Sequence, residues 1–145
     1  MEKSLGILNE HFPLTENELR TYSALSFAYI GDSIYDVIIR TMVVTKGNTR
    51  PNKYHKDVIK LVNANAQTQI MGKIKDVLTE DELAVFRRGR NAKTSSVAKN
   101  QSNHDYRIAT GFEALIGYLY LSGKMERILE LIEIGLGEDS ACPNT

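Results

Sequence analysis

Leu25-Ser26-Phe27-Ala28-Tyr29-Ile30-Gly31-Asp32-Ser33-Ile34 sets one carboxylate and one glycine in the middle of an apolar run. The run is part of a longer pattern, because Leu19, Tyr22, Leu25, Tyr29, Ile30, Ser33, Ile34, Val37 and Ile38 recur at helical spacing. Ahead of it, Thr15-Glu16-Asn17-Glu18 is a capping box, with a hydroxyl for the third amide and a glutamate that reaches back. The pattern therefore predicts one long helix from the box to about Val44, stopped by Lys46-Gly47-Asn48. An acid inside such a helix is costly to bury unless a cation meets it.

Working outward, a second strongly apolar helix is expected from about Asp105 to Leu121, with Ile108, Phe112, Leu115, Ile116 and Leu119 on its buried face and Gly123 ending it. It too carries an internal acid, Glu113, with Gly117 one turn later. Between the two, Pro51 opens a helix with an apolar stripe of Tyr54, Val58, Leu61 and Val62. Another is expected from about Asn65 to Val77, with Ile70, Met71 and Ile74 inward. A second capping box, Thr79-Glu80-Asp81-Glu82, starts a short helix from Asp81 to about Arg88. Asn91 to Asn103 is polar, basic and unpatterned, and reads as a loop. A last helix is expected from Lys124 to Ile134, and strand signals are scarce. The reading is all-α, with one domain over 1–136 and a disordered tail over 137–145.

The 145 residues suffice for a single buried core. No apolar run approaches the roughly 20 residues a membrane helix needs, and the start shows no signal-peptide pattern. A single cysteine, Cys142, excludes an internal disulfide and a thiolate zinc cluster. A cytoplasmic protein is expected. Lys plus Arg equals Asp plus Glu at 18 each, but the balance is uneven along the chain. Residues 40–107 hold 14 basic and 6 acidic side chains, so a neutral total can present a basic face.

Two acids embedded in two core helices, Asp32 and Glu113, suggest a shared Mg²⁺ site, with Mn²⁺ as a substitute; hard divalent cations take oxygen ligands, and Mg²⁺ often keeps most of its waters. The plainer alternative is two exposed or salt-bridged acids. Gly31 and Gly117 each cost helix stability, which points to close helix packing or close approach of a ligand. Arg87, Arg88, Arg90, Asn91, Lys93 and Lys99 fall in a stretch without any acid from Leu83 to His104, suited to lie along phosphates. Arg50, Lys53 and Lys56 form a second basic stretch. Neither is interleaved with exposed aromatics, which favours recognition of duplex shape over single-strand stacking. His11, His55 and His104 are isolated.

The segment Leu25 to Ser33 resembles the signature helix of the ribonuclease III family, in which an acid-rich stretch ends in Leu-Gly-Asp-Ser or Leu-Gly-Asp-Ala. Ala109 to Leu121 resembles that family's second metal-binding helix, and Leu61-Val62-Asn63 a landmark between them. The segments Ala28–Asp32, Arg88–Lys93 and Tyr106–Leu115 are similar to the mini-ribonuclease III subfamily, which lacks a separate double-stranded-RNA-binding domain.

The resemblance implies a dimeric, helical, ribonuclease III-like endonuclease fold. It implies metal-dependent cleavage of double-stranded RNA to 5′-phosphate and 3′-hydroxyl ends, with Asp32 and Glu113 as metal-holding catalytic residues. The implied role is maturation of the ends of the large-subunit (23S) ribosomal RNA precursor by a homodimer, one site per strand; whether a ribosomal protein assists stays open. Two family acids fall on Leu25 and Ala28 here, and a third on Thr110. These departures leave one metal held mainly by Asp32 and Glu113, and they keep open a non-catalytic RNA-binding module on the same fold. Asp36, one turn after Asp32, is read as a surface or dimer-interface residue rather than a ligand.

Overall fold

The computed structural model describes residues 5–93 and 103–141, and every regular element among them is helical. In chain order these are α1 (Gly6–His11), α2 (Glu16–Arg20), α3 (Ala24–Val44), α4 (Pro51–Val62), α5 (Ala64–Ile74) with a 3₁₀ turn at Lys75–Val77, α6 (Glu80–Asn91), α7 (Asn103–Leu121) and α8 (Met125–Ala141).

Helix α7 is the axis of the molecule. Ala109, Phe112, Ala114, Leu115, Ile116, Leu119 and Tyr120 are buried on nearly all its sides, as expected of a helix wrapped by others. It packs on α3, α5, α6 and α8. The main core joins Tyr35 and Ile39 of α3, Ile70 and Ile74 of α5, Phe112 and Ile116 of α7, and Ile128 and Leu131 of α8. Each such side chain contributes about 1.5–3 kcal/mol when fully buried. Tyr35 and Phe112 meet edge to face, with ring centroids 5.2 Å apart.

Both capping boxes form: Thr15 and Glu18 start α2, and Thr79 and Glu82 start α6. Helix α7 ends in a glycine stop, with Gly123 at φ 75° and Lys124 N–H donating to the Leu119 carbonyl at 2.8 Å. The Leu61-Val62-Asn63 segment is a joint. The Tyr35 hydroxyl donates to the Leu61 carbonyl at 2.7 Å, and the Asn63 side chain accepts from Ala66 N–H at 2.8 Å to start α5.

Some boundaries differ from the sequence expectation. The first long helix is two: α2 stops at Arg20, and Ser23 re-caps the chain by accepting from Ser26 N–H at 3.1 Å. The hydrophobic spacing runs through this break because Leu19 of α2 and Phe27 of α3 fill the same small core cluster. Helix α6 extends to Asn91, past the expected end at about Arg88, so Arg90 and Asn91 sit on a helix end. Helix α8 runs to Ala141, past the expected start of a tail at Gly137, where the backbone leaves helical geometry at φ 79°. Helix α1 had no counterpart in the sequence reading. Lys99, most of the expected 91–103 loop, and Cys142 lie outside the described residues.

Candidate active site

The two acids meet where α3 crosses α7. A Cβ on Gly31 would overlap the Glu113 carbonyl oxygen, and a Cβ on Gly117 would overlap the Phe27 carbonyl oxygen. Only hydrogen at these positions lets the two backbones touch. That contact sets Asp32, the residue after Gly31, beside Glu113. Asp32 is exposed and Glu113 half-buried, so the pair stands at the wall of the core with one side open.

The electrostatics of the pair are those of an unmatched site. Burial, then the facing Asp32 carboxylate, push Glu113 up to about 8, opposed by the Gln67 amide and assisted by a hydrogen bond between the two carboxyls. A carboxylate facing another carboxylate gives up its proton less readily, and here it is Glu113 that is held up. A divalent cation can replace the proton on Glu113 and meet both carboxylates, so the donor set fits a hard, oxygen-seeking ion. No group of three or more His, Cys, Asp or Glu gathers among the described residues. Thr110, three residues before Glu113, turns its hydroxyl to the Tyr106 carbonyl at 3.0 Å, and Leu25 and Ala28 supply no oxygen. Asp36 pairs with Arg40 at 3.0 Å on the surface.

The basic residues divide. The end of α6 is pressed onto α7 at the level of Glu113, because a Cβ on Gly89 would lie 2.8 Å from the Ala114 Cβ and 2.9 Å from the Gly111 Cα. Arg87, Arg88, Arg90 and Asn91 lie on that end of α6, and Lys93 follows just past it. Within this group, Arg87, Arg88, Asn91 and Lys93 are exposed and Arg90 is half-buried. Arg88 also donates to the Tyr22 carbonyl at 2.8 Å and ties α6 to the break before α3. Arg90 lies over the Phe86 ring at 5.7 Å and donates to Asn91 Oδ1 at 3.1 Å. Arg50, Lys53 and Lys56 are exposed at the start of α4, beyond the far end of α3. Twelve residues of helix separate Asp32 from Val44, about 18 Å at the helical rise. The structure does not bring this stretch to the acidic pair. His55 and His104 are both exposed.

One side chain absent from the sequence reading is at the site. Gln67 of α5 is buried, and its amide donates to Glu113 Oε2 at 3.4 Å. The signal was available, because Gln67 shares the inward spacing of Ile70, Met71 and Ile74.

The ribonuclease III domain family matches residues 25–124, a span that contains α3, the α4–α5 joint, α6 and α7. The chain belongs to the ribonuclease III family. Among its relatives, the Mini-ribonuclease 3 of Clostridium tetani is 45% identical over 137 residues, covering 92% of this chain and 89% of that one. The Mini-ribonuclease 3 of Brevibacillus brevis is 49% identical over 109 residues, covering 75% and 81%. The crystal structure of a Fusobacterium nucleatum protein superposes with a TM-score of 0.72 at 35% identity, covering 81% of this chain and 94% of that one. Within the ribonuclease III family this chain stands with the Mini-ribonuclease 3 proteins, and the helical fold expected from the sequence is the one observed.

Proposed function

We propose that the chain is a divalent-cation-dependent endoribonuclease that cuts both strands of double-stranded RNA, with Asp32 and Glu113 as its catalytic, cation-holding residues. The observation that carries this reading is the Gly31–Gly117 crossing, which seats the two carboxyls together, with the facing Asp32 and burial raising Glu113 above its ordinary value. When bound, Mg²⁺ (or Mn²⁺) would supply a polarised phosphate oxygen and an acidified water. The chain's own part is to hold the ion with Asp32 and Glu113 and to align the duplex. Arg87, Arg90, Asn91 and Lys93, with Arg88 securing the helix that carries them, would neutralise phosphates beside the scissile bond, and Lys99 extends that set. Arg50, Lys53 and Lys56, at the far end of α3, would meet phosphates further along the duplex.

The reading includes a homodimer with one site per strand, a nuclease unit over 1–136 with 137–145 as its tail, and a cytoplasmic setting. The substrate proposed is the stem formed by the ends of the 23S ribosomal RNA precursor, with room for a ribosomal protein to assist. No helix among the described residues is long and apolar enough to cross a membrane.

Cleavage of a long RNA duplex in Mg²⁺ tests it, with Asp32→Asn and Glu113→Gln beside the parent. The parent should cut both strands, and each variant should bind the duplex yet cut at least about 10³-fold more slowly, the scale of losing a principal transition-state contact. A parent that binds duplex without cutting would favour the other reading, a binding module; the lack of further acids at Leu25, Ala28 and Thr110 is the feature that points that way.

A further inference from the structure

We propose that Gln67 is a positioning residue of this site: its buried amide holds Oε2 of Glu113, fixes the rotation of the carboxylate, and leaves Oε1 for the cation. The inference rests on the proposed cation site at Asp32 and Glu113.

Gln67 is 2% exposed, among the most buried side chains of the protein. It lies on the inward face of α5 with Ile70, Met71 and Ile74, all nearly inaccessible. An apolar side chain of the same length would complete that face, whereas a primary amide there must give up water on both its donor and its acceptor ends. Among the described residues, what it receives in return is one long hydrogen bond, 3.4 Å to Glu113 Oε2. Packing and stability alone therefore do not account for an amide at this position. Orientation of the carboxylate does.

The type of donor also matters. Elsewhere in the molecule, Glu82 is met by the guanidinium of Arg127 at 2.8 Å, which neutralises it within the chain. A cation from the protein at position 67 would do the same to Glu113 and compete with the metal. An acid there would repel both carboxyls. A neutral donor restrains the carboxylate and leaves its charge to be met by the ion. Carboxylate ligands of metal sites are themselves hydrogen-bonded in this way, and loss of such partners typically weakens metal affinity 10–100-fold. Asp32 is exposed and can be oriented by water, whereas half-buried Glu113 depends on what the protein offers.

The test measures Mn²⁺ affinity at one fixed pH by electron paramagnetic resonance, together with the melting profile and the KM and kcat for an RNA duplex. The variants are Gln67→Met, Gln67→Leu and Glu113→Gln. The expected result is that Gln67→Met melts at or above the parent temperature while its Mn²⁺ affinity falls about tenfold or more. At limiting metal, kcat should fall with it and KM for the duplex stay constant. Parent-like Mn²⁺ affinity in a folded Gln67→Met protein would overturn the proposal. Loss of cooperative melting in both the Met and Leu variants would also overturn it, by assigning the amide to the core. The parent and Glu113→Gln separate the underlying reading: if the parent does not bind Mn²⁺, or Glu113→Gln binds it equally well, the cation site itself fails, whatever Gln67 does.

Discussion

Two glutamates sit against the core of this protein, and they have opposite partners. Glu82, at the start of α6, accepts from Arg127 of α8 at 2.8 and 2.9 Å while its carboxylate also closes the capping box with Thr79 N–H. Those hydrogen bonds to Arg127 outweigh the cost of burial and hold Glu82 below its ordinary value. Glu113, at the middle of α7, faces another acid and a neutral amide, and is pushed up to about 8. One carboxylate is completed by its own chain and serves as a clamp between helices. The other is left incomplete on the exposed side of a tight helix crossing. Burial is shared, and the sign of the neighbouring charge sets the two acids apart; on the proposed function that sign separates a structural acid from a functional one.

The contrast can be broken most severely at the crossing. Gly31→Ala puts a methyl group into the Glu113 carbonyl, and backbone cannot step aside as a flexible side chain would. We expect a loss of about 3 kcal/mol or more, the upper range of overpacking, in a denaturant titration, together with loss of cleavage. Gly72→Ala is the control, because a Cβ there meets nothing within 4 Å.

The next effect is one of pH. Glu113 binds its proton more tightly folded than unfolded, so in the metal-free protein its stabilising contribution is full below about pH 4.5 and is lost as pH rises toward 8. Glu82 runs the other way, with a contribution present above the ordinary carboxylate range and lost on acidification. Glu113→Gln should therefore raise the metal-free melting temperature at pH 8 by roughly 5–10 °C and have little effect at pH 4.5. Saturating Mg²⁺ should shrink the difference at pH 8 by stabilising the parent.

Arg127→Ala removes the clamp. The Glu82 side chain is 6% exposed and that of Arg127 23%, so the loss falls between surface and buried pairs, about 2 kcal/mol. Cleavage by the folded fraction should be unchanged, which is the outcome that sets this acid apart from Glu113.

The smallest effects belong to the basic end of α6. Lys93→Ala should lower the log–log salt slope of duplex binding by about one unit with an unchanged melting temperature. Arg88→Ala should mainly lower the melting temperature, by a few degrees or less, because its guanidinium is tied to the Tyr22 carbonyl. Equal salt slopes for the parent and Lys93→Ala would remove that lysine from the RNA contacts.

Much of this was legible in the sequence. The acids Asp32 and Glu113 stood out against apolar neighbours, and each had a glycine nearby that cost its helix stability; the crossing explains both glycines at once. The two capping boxes were readable because their residues are three apart. Local pattern could not show the break at Ser23, since Leu19 and Phe27 keep helical phase across it. Helix α1, only six residues long and with none fully buried, has no periodic signal to find. The tether of Arg88 could not be read from local pattern because it reaches a carbonyl 66 residues away. Gln67 was passed over because polar residues are usually assigned to the surface, although its phase with Ile70 and Ile74 placed it inside.

The central claim is that a cation at Asp32 and Glu113 displaces the proton that Glu113 holds. Calorimetric titration of Mn²⁺ in buffers of different ionisation enthalpy measures it directly, as protons released per ion bound. The account predicts a release approaching one proton per cation at pH 7, fading above pH 8 to 9, and loss of binding in Glu113→Gln. Tight binding at pH 7 with no proton release would contradict it.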